Sequence, residues 1–294
     1  MKIGIIGVGA MGAAMATNLL AREYDVHVRD VMPEREQALA KRGAHPHPTP
    51  SALLAAVNVA IIVVETAAQV REVLSAENGL LAALATDNAK TIILCPTIAP
   101  DDTERFANDI TNAGASVIDA PISGGPERAA DGSMSIMLAA PQETLTEFDA
   151  LLADLSSKRF VVSTKPGDGA RAKLANNLAG GAYLAAASEA MSLAVNMGLD
   201  PQLMLKLMSA SSGQSWVADD RLPRGVQGLM PTVGAATRVL RKDLTLAVQA
   251  ADNANSPVPM ATAALERFSA ACEKGMGEND DSSLFTLYQQ QSGQ

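Results

Sequence analysis

Aromatic residues and cysteines are scarce in this sequence of 294 residues. Aromatic side chains account for 3% of the chain and hydrophobic side chains for 48%, so the core must be built from aliphatic residues. The two cysteines, Cys95 and Cys272, are too few for a disulfide framework and lack the spacing of metal ligands. This composition is typical of a reducing compartment, and we expect a cytoplasmic protein.

Basic charge and uninterrupted apolar runs are also scarce. The formal net charge is -9 and no run is rich in lysine and arginine, which argues against a nucleic-acid partner. Glycines interrupt the N-terminal apolar segment at once, so we expect no signal peptide. The alanine-rich stretch after Asn177 contains Ser188, Glu189 and Ser192, which suits a protein core better than lipid, and we expect no membrane association.

Histidine is the third scarce residue type, with three in the chain. His45 and His47 flank a proline and have the spacing of a metal-binding pair, but no third ligand lies near them in the sequence. We therefore expect a solvent-exposed loop here and no metal site.

The hydrophobic pattern changes near residue 164. Before that point, short β-rich runs alternate with helical ones, as in βαβ units around a parallel sheet. The predicted strands are 2–7, 26–30, 57–64, 91–95 and 116–121. From Gly169 onward the spacing is helical. The predicted helices are 170–197, 201–211, 237–255 and one that begins near Met260, with a loop at 212–225.

This change predicts two domains. We expect a doubly wound α/β domain with a parallel sheet over residues 1–163, followed by an all-helical domain over residues 164–294. Domain junctions commonly contain ligand sites, so the junction near residue 164 is a candidate location for one.

The segment GVGAMG (7–12) is a G-x-G-x-x-G motif that follows a buried strand and opens a helix. Gly7 permits the tight turn, Gly9 allows the backbone to approach a pyrophosphate, and Gly12 allows the helix to pack closely on the strand. The anion would lie at the helix N-terminus. We predict a dinucleotide site formed by Gly7, Gly9, Met11 and Gly12.

Asp30 lies at the end of the second predicted strand, close to the position at which an acidic residue binds the adenosine ribose. A carboxylate there would repel a 2′-phosphate, so the sequence favours NAD over NADP. Arg29 and Arg35 leave NADP open as the alternative, because either arginine could bind that phosphate.

Two further segments have the composition of a substrate site. In DAPISGG (119–125), Ser123, Gly124 and Gly125 follow a strand, and the backbone N–H groups of such a turn suit a carboxylate or another small anion. In GDGARAKLANN (167–177), Lys173 and Asn177 are four residues apart and share one face of a helix.

Four segments together resemble the β-hydroxyacid dehydrogenase family: GVGAMGAAMATNL (7–19), DAPISGG (119–125), GDGARAKLANN (167–177) and RKDLTLAVQAA (241–251). They occur in the order and at the spacing that the family shows. The resemblance implies a Rossmann domain with a helical domain that forms oligomer contacts, and we expect a homodimer or homotetramer. It also implies an NAD(P)-dependent 3-hydroxyacid dehydrogenase that acts on CH–OH donors.

The resemblance assigns roles by position. Lys173 would be the catalytic lysine, and Asn177 would orient a small anionic hydroxy acid whose carboxylate lies at Ser123, Gly124 and Gly125. Lys242 would approach the nicotinamide end of the site, and Thr97 is the hydroxyl that remains beside Pro96 near the nicotinamide. Hydride would pass from the carbinol carbon to NAD(P), while the lysine bonds the oxygen and relays its proton.

Three alternatives compete with this interpretation. A 6-phosphogluconate dehydrogenase is much longer and binds a phosphate, for which the sequence offers no arginine cluster. An imine reductase shares the architecture but generally replaces the catalytic lysine, which is present here as Lys173. A non-catalytic NAD-binding protein would be expected to lose Lys173 or the DAPISGG segment, and both are intact.

Overall fold

The computed structural model of the protein describes residues 1–228 and 234–292. The chain forms two compact units, Met1–Lys173 and Leu174–Gln294. The division falls within a long helix, Asp168–Asn196, so this helix belongs to both units.

The first unit contains one sheet of nine strands. In chain order they are β1 (Lys2–Ile6), β2 (Asp25–Arg29), β3 (His45–Pro46), β4 (Val59–Ile62), β5 (Thr91–Leu94), β6 (Ser116–Asp119), β7 (Ile122–Ser123), β8 (Ser135–Ala139) and β9 (Lys158–Ser163). Their spatial order is β3-β2-β1-β4-β5-β6-β8-β7, with β9 on β8. The first six strands pair in parallel, β8 is antiparallel to β6 and β7, and β9 is parallel to β8.

Helices connect these strands. They are α1 (Ala10–Ala21), α2 (Pro33–Ala40), α3 (Pro50–Ala56), α4 (Ala67–Ser75), α5 (Leu80–Leu84), α6 (Pro100–Asn112), α7 (Gly125–Asp131), α8 (Gln142–Glu147) and α9 (Asp149–Leu155). Capping side chains and prolines determine where several of these helices begin. Thr66 and Gln69 form a capping box at α4, and prolines occupy the first turns of α2, α3 and α6, where no N–H partner is lost.

The sheet of the first unit is buried on both faces. Ile5 packs with Met15 and Leu19 on one side, whereas its neighbour Ile6 packs with Leu53 and other apolar residues on the opposite side. Successive side chains of a strand point to opposite faces, so a strand that is apolar at every position requires helices on both sides. The predicted doubly wound α/β fold, of the Rossmann type, is therefore confirmed.

The five predicted strands all form, as β1, β2, β4, β5 and β6. The sequence did not predict β3, β7, β8 or β9. β3 and β7 contain two residues each, too few to show a period of two, and β9 begins with two charged residues and is mostly exposed. Pairing with neighbouring strands, rather than a local pattern, makes β3, β7 and β9 extended, whereas the buried apolar run of β8 was a local signal that the sequence analysis missed.

The second unit is helical, as predicted. Helix α10 (Asp168–Asn196) enters it from the first unit, and it continues with α11 (Pro201–Ser209), α12 (Trp216–Gln227), α13 (Thr237–Asn253), α14 (Pro259–Ala271) and α15 (Leu284–Ser292). A wide π-helical turn, Cys272–Met276, and a 3-10 turn, Asp281–Ser283, join the last two helices. Leu184, Leu244 and Phe268 are fully buried in its core.

The loop predicted at 212–225 is wrong, because α12 occupies most of that segment. Two glycines and Pro223 within the segment indicated a loop. The hydroxyl of Ser215 accepts a hydrogen bond from the N–H of Ala218 at 3.2 Å and so caps the helix start. Ala218 and Leu222 are buried on its inner face, and packing of this face stabilises the helix despite its proline.

Helix α10 has 29 residues, and its most apolar 18-residue window has a mean hydropathy of 1.3. By length and composition alone, this helix could cross a membrane. Core helices of soluble proteins pass the same test, and 44% of this window is buried within the structure.

Candidate active site

The glycine motif forms a turn between β1 and α1, and at Gly7 and Gly12 no other residue type fits. Gly7 has φ +90, and a Cβ atom on it would lie 2.5 Å from the carbonyl oxygen of Val63. A Cβ atom on Gly12 would lie 2.0 Å from the carbonyl oxygen of Gly7. Helix α1 follows Gly9 and receives no side-chain cap. Uncapped N–H groups at a helix start suit a pyrophosphate, so this turn fits a dinucleotide.

Asp30 follows β2 and is 5% exposed. One carboxylate oxygen accepts a hydrogen bond from the N–H of Val8 at 2.7 Å, and the other accepts one from the N–H of Met32 at 2.9 Å. Asp30 therefore holds the glycine turn against the end of β2.

Both nearby arginines face carboxylates. Arg35 Nη1 lies 3.5 Å from Asp30 Oδ1, and Arg29 Nη1 lies 3.1 Å from Glu36 Oε1. Glu36 also accepts a hydrogen bond from the N–H of Asp30 at 2.7 Å. Sequence reasoning missed Glu36, whose position six residues after Asp30 on α2 was the available signal.

Asp119, the last residue of β6, connects the DAPISGG segment with the start of α10. Its Oδ2 atom accepts hydrogen bonds from the N–H of Gly167 at 2.7 Å and from the N–H of Ala170 at 3.2 Å. The carboxyl group is 1% exposed, and burial raises its pKa to about 6. Sequence reasoning quoted this residue within a motif but gave it no role.

The turn at Ser123, Gly124 and Gly125 has a backbone that favours glycine. Gly124 has φ +135 and Gly125 has φ +79, both in the region that L side chains rarely adopt. A Cβ atom on Gly125 would meet no atom within 4 Å, so space lies open beside this residue. The turn can therefore present backbone N–H groups to a small anion.

Thr97 lies at the same edge of the sheet as the other predicted cofactor residues. It follows β5, as Gly7 follows β1 and Asp30 follows β2, and the carboxyl ends of parallel strands meet at one edge. Its side chain is partly buried. This edge is where ligands of open α/β sheets bind.

Lys173 and Asn177 lie on α10, one helical turn apart. Lys173 is 6% exposed. The Asn177 amide donates a hydrogen bond to Asp243 Oδ2 at 2.7 Å, and Lys242 Nζ lies 2.8 Å from Asp243 Oδ1. Asp243 thus joins two predicted site residues of the second unit, and sequence reasoning missed it although it stands beside Lys242.

Two buried carboxylates near the C-terminus stabilise the second unit. Burial opposes ionisation of Asp280, but hydrogen bonds from Gly234 and Ser282 bring its pKa down to about 2. Burial raises the pKa of the neighbouring Asp281 to about 7. Arg221 Nε lies 3.2 Å from Asp281 Oδ1. These groups hold the start of α13 and the turn before α15 together within this unit.

The three histidines lie together. His45 is exposed as predicted but lies in the short strand β3 and not in a loop, and His47 is partly buried. His47 Nε2 lies 2.7 Å from His27 Nδ1, and Asp25 lies within 3.3 Å of His27 and His45. Burial lowers the pKa of His27 and of His47. Within residues 1–228 and 234–292, no group of three or more histidine, cysteine or acidic side chains could hold a metal ion.

Comparison with known proteins identifies the family. Residues 2–163 match the NAD-binding domain of 6-phosphogluconate dehydrogenase, and residues 167–288 match the NAD-binding domain of NADP-dependent 3-hydroxyisobutyrate dehydrogenase. An L-threonate dehydrogenase from Cupriavidus necator is 33% identical over 287 residues, which cover 98% of this chain and 96% of that protein. The chain belongs to the β-hydroxyacid dehydrogenase family.

Solved structures of similar proteins support this assignment. A 3-hydroxyisobutyrate dehydrogenase from Salmonella typhimurium superimposes with a TM-score of 0.90 at 29% identity, over 98% of this chain and 99% of that one. Psf3, solved in complex with NADP⁺, superimposes with a TM-score of 0.89 at 29% identity, over 97% of this chain and 99% of Psf3. An imine reductase from Pseudomonas sp. superimposes with a TM-score of 0.62 at 23% identity. This similarity supports the fold and not the activity.

The predicted activity class is therefore confirmed. This β-hydroxyacid dehydrogenase is an NAD(P)-dependent oxidoreductase of the 3-hydroxyacid dehydrogenase class, which acts on CH–OH donors.

Proposed function

We propose that this enzyme oxidises a small, polyhydroxylated 3-hydroxy acid of the threonate class, with Lys173 as the acid–base group. The observation that supports this most directly is the burial of Lys173 on α10, one turn before Asn177. A buried lysine is costly unless a polar partner compensates for the loss of water. The similarity to L-threonate dehydrogenase supports the substrate class.

Each proposed residue has one task in the reaction. NAD(P), when bound, accepts the hydride from the carbinol carbon. Lys173, as the neutral amine, bonds the hydroxyl oxygen and accepts its proton as the hydride leaves. Asn177 fixes the direction of that hydroxyl, and Asp243 holds the Asn177 amide in one orientation. Lys242 would approach the nicotinamide end in this proposal, and Asp243 pairs with its ammonium group at 2.8 Å.

Ser123, Gly124 and Gly125 bind the substrate carboxylate in this proposal. Both glycines have positive φ angles, a conformation in which consecutive backbone N–H groups can bind an anion, and the open space at Gly125 admits a ligand. Holding the carboxylate at one end and the alcohol at the other sets the reacting carbon in place, which is a large part of the catalytic effect.

The cofactor proposal is NAD in preference to NADP. Gly7, Gly9, Met11 and Gly12 bind the pyrophosphate, Thr97 lies near the nicotinamide, and Asp30 accepts hydrogen bonds from the ribose. Arg29 and Arg35, which could bind a 2′-phosphate, face Glu36 and Asp30 instead. NADP is the competing cofactor, because residues 167–288 match an NADP-dependent 3-hydroxyisobutyrate dehydrogenase and the similar protein Psf3 was solved with NADP⁺.

We further propose a cytoplasmic homodimer or homotetramer that associates through its helical unit. Both cysteines are free thiols, which suits a reducing compartment. The helical unit exposes large apolar side chains, including Leu193, Met197, Leu203 and Leu207. We also propose that residues 1–163 form the dinucleotide domain and that residues 164–294 serve substrate binding and association.

A paired substrate assay tests the function. We expect turnover of hydroxy acids of three to five carbons, with the threonate class preferred, and little turnover of the matching methyl ester. The ester lacks two charge-assisted hydrogen bonds of about 1.5–3 kcal/mol each, which predicts a loss of roughly 10²- to 10⁴-fold in kcat/KM.

The variant Gly125→Val tests the same turn from the protein side. A branched side chain would block the approach to the backbone N–H groups, so we expect the variant to lose activity towards the acid and to discriminate poorly between acid and ester. Equal turnover of acid and ester by the wild-type enzyme would contradict the proposed carboxylate site.

A further inference from the structure

The first turn of α10 is held by a carboxylate from another part of the first unit. One oxygen of Asp119 accepts hydrogen bonds from the N–H of Gly167 and the N–H of Ala170. Asp119 is 48 residues from Gly167 in the sequence, so this is a tertiary contact and not a local helix cap. These N–H groups belong to the helix start and have no intrahelical partner, so the carboxylate satisfies them.

The two glycines of the GDG segment occupy positions where a side chain would not fit. Gly167 has φ +102, which a side chain rarely adopts. A Cβ atom on Gly169 would lie 2.9 Å from Asp119 Oδ2 and 3.0 Å from the carbonyl oxygen of Met137. The helix start therefore approaches the carboxylate as closely as the absence of side chains allows.

Lys173 follows this turn directly. It lies three residues after Ala170, so both residues share one side of the helix, at a rise of about 4.5 Å. A shift of the first turn would move Lys173 with it, because the intervening backbone is helical. Misplacement of a catalytic group by about 1 Å can cost about 10²-fold in rate.

We propose that Asp119 is a positioning residue whose ionised carboxylate fixes the first turn of α10, and that its protonation releases this turn and lowers turnover. This inference rests on the proposed acid–base role of Lys173. The proton comes from solvent and returns to it, so Asp119 takes no part in the hydride transfer. Asp119 acts through the helix and not on the substrate.

The surroundings of Asp119 raise the pKa of its carboxyl group into the pH range in which enzyme activity can be measured. Burial raises the pKa of Asp119 to about 6, and the charge of Asp168, at the start of α10, adds to this increase. Hydrogen bonds from the N–H groups of Gly167 and Ala170 oppose it. The buried thiol of Cys95, which follows β5, faces the same carboxylate, and both burial and the Asp119 charge raise the pKa of that thiol. The carboxyl group therefore loses its proton as the pH rises through about 6.

The same titration has opposite effects on activity and on folding. The pKa of Asp119 in the folded protein lies above its ordinary value of 3.8, so the ionised form costs folding free energy. The contribution of this residue to stability therefore grows as the pH falls from about 7 towards about 4. Activity, which depends on the ionised form, falls over the upper part of the same range.

The substitution Asp119→Asn tests the proposal because the uncharged amide group has the shape of the protonated carboxyl group and cannot ionise. We expect wild-type kcat to fall between about pH 7.5 and about pH 5 with a midpoint near 6, and the variant to remain low throughout, about 10- to 100-fold below the wild-type maximum. The KM for NAD(P) should not change. The variant should have a higher Tm than the wild type at about pH 7.5, with the difference lost at about pH 5.

Asp168→Asn is the matched control, because Asp168 is a partly exposed acid of the same turn that pairs with Arg171. It should retain the acidic decline of kcat. An Asp119→Asn enzyme with wild-type kcat, or with an unchanged midpoint, would overturn the proposal.

Two further variants separate the possible failures. Lys173→Ala should lose turnover at every pH; if it does not, the proposed function fails and not only the role of Asp119. If Asp119→Asn does not fold, Gly169→Ala gives a second test, since its Cβ atom pushes the helix start away from Asp119. We expect about a tenfold lower kcat with unchanged KM for NAD(P), and wild-type kcat in that variant would overturn the positioning role.

Discussion

A lysine loses favourable hydration when it is buried, and Lys173 is 6% exposed within a helix of small apolar residues. Such a position is unfavourable for folding, and proteins retain such groups where chemistry requires them. The four-residue spacing to Asn177 was visible in the sequence. The burial of Lys173 and the bond from Asn177 to Asp243 were not, because both depend on residues far away in the chain.

We predict that Lys173→Ala lowers kcat by at least about 10²-fold, the usual scale for loss of a positioned acid–base group. The fold and the affinity for NAD(P) should be unchanged, as measured by circular dichroism and by fluorescence titration with the reduced cofactor. Lys206→Ala, which removes an exposed lysine from α11, is the control and should keep wild-type kcat. A Lys173→Ala enzyme with near wild-type turnover would remove the lysine from the mechanism.

Asp30 provides a second prediction at the scale of single residues. Asp30→Ala should raise the KM for NAD more than the KM for NADP, because the carboxylate bonds ribose hydroxyls and repels a 2′-phosphate. Asp30 also bonds the N–H of Val8, so the alanine variant loosens the glycine turn for both cofactors. Asp30→Asn retains a hydrogen-bond acceptor and isolates the effect of charge. Equal changes in both KM values, in both variants, would contradict the NAD preference.

Helix α10 is the element that connects the chemistry with the packing of the second unit. Its adjacent glycines differ in their surroundings. A Cβ atom on Gly180 would meet no atom within 4 Å, whereas one on Gly181 would lie 2.8 Å from both terminal carbons of Leu244. Leu244 is fully buried, so its side chain has no free volume into which to move.

The two glycines therefore predict opposite effects on stability. Gly180→Ala should raise the free energy of unfolding by up to about 1 kcal/mol, because alanine favours a helix over glycine. Gly181→Ala gains the same propensity but overpacks the core at a cost of about 1–3 kcal/mol. Urea unfolding at equal protein concentration measures both. Equal shifts of the two variants would show that α10 and α13 do not pack as closely as the structure indicates.

At the scale of the whole molecule, the exposed apolar residues of the helical unit predict self-association. Leu203 and Leu207 lie four residues apart on α11, so they form one exposed apolar face. We expect light scattering to give two or four times the monomer mass of 30.4 kDa. Leu203→Glu combined with Leu207→Glu should lower that mass, and Gln202→Glu on the same helix should not. A wild-type mass of 30.4 kDa would contradict an oligomer.

The sequence alone determined the features that depend on neighbouring residues. Strand β4 is apolar at every position, and β1 is apolar after Lys2. The glycine motif fits its turn because of its own backbone and the strand beside it. Helical spacing after Gly169 predicted the second unit. These patterns are local, so they can be read without knowledge of the fold.

Tertiary structure decided the rest. Helix α12 forms because Ser215 caps it and its inner face packs, although its proline and glycines indicate a loop. Asp119 meets the start of α10 only because β6 ends beside it, and Asp243 meets Asn177 only because two helices pack together. Sequence spacing cannot place such groups, since bonds between distant segments are made by the packing of the whole unit and leave no periodic trace in the chain.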